Sequence, residues 1–145
     1  MSVPAFTAAL IASQSNEKYT AEVQTAAAKV DLSALSAAVE AVLAGDDDAT
    51  VEGEQVVALK SGFEYATVLV KMLTAEPGSD EKLELYKYFK RAQNQTPAEP
   101  SFYQMEAKFK YNAWKGISHI SEFRAQALYI QQVNTLVEKY GTRDA

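Results

Sequence analysis

Apolar residues recur along this chain at the three-and-four spacing of a helix face and almost nowhere at the alternation of a strand. Leu32, Leu35, Val39 and Val42 share one such face, with Asp31 placed to cap its start and Gly45 to end it. Phe6, Leu10 and Ile11 predict a shorter helix before it, and Tyr19, Val23, Ala26 and Val30 predict another. Gly45 to Gly53, with Asp46-Asp47-Asp48 inside it, reads as a solvated linker. Phe63, Ala66, Val70 and Leu73 form the next stripe. Ser61-Gly62-Phe63-Glu64 reads as the capping box of that helix, with a start nearer Val56 as the alternative. Pro77-Gly78 breaks the chain, and Ser79 is expected to cap a helix carrying Leu83, Tyr86 and Phe89 to about Ala92. Gln93 to Ser101 reads as a loop because of Pro97 and Pro100. A further helix is predicted over roughly Tyr103 to Gly116. A last one, opened by Ser118 or Ser121, carries Ala125, Tyr129, Val133, Leu136 and Tyr140 and ends at Gly141. With no Asn-Gly or Asp-Gly turn and few glycines, the chain reads as all-α.

Composition then narrows the chemistry. The 145 residues include no cysteine, which removes thiol catalysis and cysteine-based metal sites. The single histidine, His119, falls in an interhelix turn and reads as an exposed or capping residue. No apolar run approaches the roughly 18 residues of a membrane span, and no basic leader is visible, so a cytoplasmic protein is the expectation. Phosphate-loop, nucleophile-elbow, zinc-helix and EF-hand patterns are all missing, so no catalytic residue, cofactor or metal is assigned. The three aspartates read as solvated rather than as a cation cage. The net charge of −5 is uneven. Residues 1–59 hold two lysines against nine acids, net −7, and residues 60–145 hold twelve cations against ten acids, net +2. An acidic chain argues against nucleic acid as partner but leaves room for a small anion on a local basic cluster.

Such a cluster is visible. Tyr86 and Lys90 are four residues apart, as are Lys110 and Trp114. Taken alone, this spacing fits core aromatics with a rim of solvated lysines, and equally fits a site where ammonium groups meet phosphates and a ring meets a purine.

The order of residues from Ser61 to Thr142 resembles an acyl-CoA-binding protein domain. The pieces are Phe63-x-x-Ala66, Val70-x-x-Leu73, Pro77, Leu83-x-x-Tyr86-x-x-Phe89-Lys90-x-Ala92, Pro100, Lys108-x-Lys110-x-x-Ala113-Trp114, Tyr129-Ile130 and Glu138-Lys139-Tyr140-Gly141. The resemblance implies an all-α, four-helix up-down-down-up bundle over residues 56–145, preceded by an Ala-rich, acidic helical extension and linker over residues 1–55. It implies a non-enzymatic, monomeric carrier of long-chain fatty acyl-CoA that serves lipid-metabolising enzymes. The head group would be met by Tyr86, Lys90, Lys110 and Tyr129, with Phe89 beside them and Lys71 from the first bundle helix. Phe89 stands where the family often has tyrosine, Phe109 where it has a small residue, Tyr111 where it usually has tryptophan, and Lys82 at an apolar groove position. Glu106-Ala107-Lys108 stands where the family has a Lys-Gly-Lys-like run. Phe89, Glu106 and Lys82 keep open an alternative, a helical interaction module of the same fold with weakened or lost ligand binding. The extension, being Ala-rich, is expected to dock simply or stay loose, leaving the bundle able to fold without it.

Overall fold

The computed structural model describes residues 3–101 and 103–143, and among these it is all-helical, with seven α-helices and no strand. The extension forms α1 (Pro4–Gln14), α2 (Ala21–Ala28) and α3 (Leu32–Ala44). The bundle forms α4 (Glu54–Leu69), which runs into a 3-10 turn (Val70–Met72), then α5 (Ser79–Ala92), α6 (Met105–Gly116) and α7 (Glu122–Tyr140). Local chemistry explains most ends. Pro4 opens α1, where its missing N–H is no loss. Asp31 accepts from Ala34 N at 3.1 Å, and Ser121 accepts from Arg124 N at 3.0 Å. Gly141, at φ 74°, ends α7 in the left-handed region that suits glycine.

Two predicted caps are corrected. Ser61 lies inside α4, which starts at Glu54, so the capping box does not form. The earlier turn is retained because Ala58 and Leu59 are buried there, and Gly53, at φ 60°, turns the chain into the helix. Ser79 is the first residue of α5 and not its cap. Gly78 takes that place, and its N–H donates to the Glu81 carboxylate at 2.9 Å.

The extension is bound into the core, contrary to a loose or shallow attachment. Phe6, Leu10, Val23, Leu35, Val39 and Val42 are buried with the bundle's Leu59, Tyr65 and Leu69. The Phe6 ring meets Tyr65 edge-on at 5.5 Å, and the Tyr65 hydroxyl shares a 2.8 Å hydrogen bond with buried Ser13. Burial pushes that phenol above its ordinary range. Phe6 N donates to Asn134 Oδ1 on α7 at 2.9 Å. Leu35 of α3 sits so close to Gly62 of α4 that a Cβ there would lie 2.6 Å from its Cδ1. Alanine's small volume is what permits this: Ala9, Ala27 and Ala38 bury completely or nearly so and let backbones approach. The boundary expected at residue 55 falls within the first turn of α4.

The linker is likewise tied down, although its three aspartates are exposed. Ser121 N donates to Asp47 O at 2.8 Å, Ser121 Oγ to Ala49 O at 2.5 Å, and Val51 is buried. His119 is exposed, as expected, and its Nε2 lies 3.2 Å from the Asp47 carboxylate. At the opposite edge, α6 packs mainly on α5 and has no fully buried residue. It therefore stands off the bundle and leaves open space along α5.

Candidate functional site

That space is a cavity of about 740 Å³ between α5, α6 and α7. Its floor is apolar because α5 turns Leu83, Leu85 and Phe89 toward it, and α7 adds Tyr129. Phe109 and Lys110 close it from α6, and Lys82 and Tyr86 from α5. Phe109 is 58% exposed, so the wall it forms faces water when nothing fills the cavity.

Four of the six residues singled out from the sequence, Tyr86, Phe89, Lys110 and Tyr129, line this one cavity. Tyr86 draws together two of the cations. Lys90 Nζ lies 5.9 Å and Lys110 Nζ 5.6 Å from its ring centroid, in range of the ring's negative face. Lys90 comes from the same helix one turn on, and Lys110 from α6, so tertiary packing makes the pair. Lys90 also donates to Gln95 Oε1 at 3.2 Å, and Lys110 lies 3.6 Å from Glu106. Both partners are exposed and exchangeable.

Tyr129 is 4% exposed, and burial pushes its phenol above the ordinary range. Its ring packs against Phe63 at 5.0 Å and Phe89 at 6.2 Å. Neither the Tyr129 nor the Tyr86 hydroxyl has a hydrogen-bond partner among the described residues.

Lys71 stands apart. It lies on the 3-10 turn after α4, outside the cavity, and its ammonium is 3.4 Å from Glu22 of α2. Lys82 and Phe109, noted in the sequence only as departures, are lining residues. Leu85 was not singled out at all. Its position four residues before Phe89 on one helix face is the signal that could have found it. Arg91 is absorbed by the fold, donating to Ile120 O at 2.6 Å. Among the described residues no helix is long and apolar enough to cross a membrane.

The family model described as "Acyl CoA binding protein" matches residues 60–133. An acyl-CoA-binding protein of Dictyostelium discoideum is 39% identical over 80 residues, covering 54% of this chain and 95% of that protein. An acyl-CoA-binding protein of Gossypium hirsutum is 35% identical over 86 residues, covering 58% and 97%. The acyl-CoA-binding protein homolog 1 of Caenorhabditis elegans is 33% identical over 81 residues, covering 54% and 94%. The helices α1 to α3 lie outside the family match. The bundle, the cavity along α5 and the matched span agree on one assignment: the chain belongs to the acyl-CoA-binding protein family, whose members bind without catalysing, and carries an N-terminal extension of about 60 residues.

Proposed function

We propose that this protein binds long-chain fatty acyl-CoA in the cavity between α5, α6 and α7 and acts as a monomeric carrier in the cytoplasm, delivering its ligand to lipid-metabolising enzymes. The observation that carries this reading is the junction of an apolar floor with two lysines converging on one tyrosine ring. Leu83, Leu85, Phe89 and Phe109 supply surface for an acyl chain, which gains about 0.8 kcal/mol per buried CH₂. Lys90 and Lys110 supply charge-assisted bonds to phosphate, and Tyr86 and Tyr129 supply ring faces and free hydroxyls. Lys71 lies outside the cavity and makes an exposed ion pair with Glu22 at 3.4 Å.

Calorimetry with palmitoyl-CoA and palmitate tests the reading. The expected result is one palmitoyl-CoA per chain, with palmitate far weaker, because a fatty acid uses the apolar floor and leaves the lysines unused. Equal affinity for the two would overturn it. Absence of binding to either would favour the interaction module that Phe89, Glu106 and Lys82 keep open.

A further inference from the structure

We propose that Lys82 sets the acyl-chain preference of the site: it ends the apolar floor of the cavity, so that affinity for acyl-CoA stops rising with chain length once the tail reaches it. This rests on the acyl-CoA reading above and narrows it to a class of tails. The lining changes character along α5. Lys90 stands one turn past Tyr86 toward the end of that helix, so a phosphate shared by Lys90 and Lys110 belongs to that side of the Tyr86 ring. The acyl chain is left the stretch from Tyr86 back to the helix start, where the lining passes from Leu83 to Lys82 and then to Ser79. Leu83, Leu85, Tyr86 and Phe89 are half-buried, whereas Lys82 and Ser79 are exposed.

The ammonium of Lys82 decides what a tail meets there. It pairs with the carboxylate of Glu76, which precedes α5 and lies outside the cavity lining. The pairing directs the ammonium toward the start of the helix and leaves the carbon stem of the lysine against the cavity. That stem continues the apolar floor for a short distance. A tail that went further would cover the ammonium and its partner carboxylate, stripping their water without replacing its hydrogen bonds. An exposed ion pair contributes little in itself. What sets the limit is the water that the two charges hold. Each CH₂ buried before Lys82 therefore adds to affinity, and each one beyond it stays in water and adds nothing.

Calorimetry of the full-length protein with octanoyl-, dodecanoyl-, palmitoyl- and stearoyl-CoA, each below its micelle concentration, tests this. In wild type, affinity should rise at the short end by roughly tenfold or more for every two carbons and flatten before stearoyl-CoA. Lys82→Leu, at an exposed position, should leave octanoyl-CoA within about twofold, as for a surface charge. The same change should strengthen stearoyl-CoA by roughly tenfold or more, because the floor then continues. Lys82→Arg, which keeps a cation at that point, should keep the flat region. A wild-type series that climbs evenly through stearoyl-CoA would overturn the inference. So would a Lys82→Leu change of equal size at every length, which reports the general field of one cation rather than contact with the tail. Lys82→Arg behaving like Lys82→Leu would overturn it as well. Each of these results sinks this inference alone, since acyl-CoA still binds. Wild-type protein that binds none of the four esters sinks the acyl-CoA reading and this inference with it.

Discussion

Lys110 sits between two weak attachments. Its ammonium is 3.6 Å from Glu106, one turn back on α6, and 5.6 Å from the Tyr86 ring. An exposed pair at this helical spacing is worth only about 0.3–0.5 kcal/mol, while a hydrogen bond to a charged phosphate is worth about 1.5–3 kcal/mol. A ligand phosphate within reach, as the proposed function requires, would therefore win the lysine from Glu106. Palmitoyl-CoA should accordingly bind more tightly than palmitoyl-dephospho-CoA by about 1.5–3 kcal/mol. In Lys110→Ala that gap should narrow, since the cycle isolates the lysine–phosphate pairing from the general field. Calorimetry of the four combinations checks this, and an unchanged gap would remove Lys110 from the site. Added salt should narrow the wild-type gap as well, because the cavity is open to water.

Between elements, the start of α5 is clasped to the end of α7. The Glu81 carboxylate accepts from Tyr140 Oη at 2.5 Å, Gly78 N at 2.9 Å and Lys139 Nζ at 3.0 Å. These bonds hold its pKa at about 2, from an ordinary 4.5, with the Tyr140 hydroxyl the largest cause. The sign follows from linkage. A carboxylate whose pKa is lower folded than unfolded adds stability above about pH 4.5 and loses it as pH falls toward 2. Glu76 is also lowered, through its hydrogen bond from Lys82, so the chain's acid sensitivity is not due to Glu81 alone. Glu81→Gln should melt lower than wild type at neutral pH, and the difference should shrink as the pH is taken from 5 to 2. Melting curves followed by circular dichroism measure it, and a difference that stays constant with pH would rule out the clasp as a carboxylate effect. Because α5 carries most of the cavity floor, the clasp also fixes where that floor stands relative to Tyr129 on α7.

At the scale of the whole molecule, the extension behaves as part of the core. Removing residues 1–53 would uncover Leu59, Tyr65 and Leu69 and leave Asn134 Oδ1 without its Phe6 donor. Large buried side chains are each worth about 1.5–3 kcal/mol on exposure, and domains hold only about 5–15 kcal/mol in total. The truncated chain should lose cooperative thermal unfolding or melt far below the full chain. A truncated protein that melts cooperatively at the full-length temperature would show that the bundle needs nothing from α1 to α3.

Helix existence, the Asp31 and Ser121 caps and the stop at Gly141 were legible in the sequence because each depends on residues within one or two turns. Tyr86 and Lys90 were legible for the same reason, and the ordered fragments from Ser61 to Thr142 pointed to the family. The Ser61 box failed because burial of Ala58 and Leu59 extends α4 through it, and a local pattern carries no record of what packs beside it. Alanine content suggested a weakly attached extension, yet small side chains also allow close approach, and only the packed structure shows which outcome holds. Lys71 matched a ligand position by its place in the chain, but its partner Glu22 lies 49 residues away. A smaller cavity, of about 380 Å³, exists only where α2 meets α4 and α5. The sequence by itself determined the helices, the Asp31 and Ser121 caps and the residue types of the site, because these are set by neighbours along the chain. Tertiary structure alone decided which aromatics and lysines converge, and that the extension forms part of the core, because those depend on contacts between residues far apart in sequence.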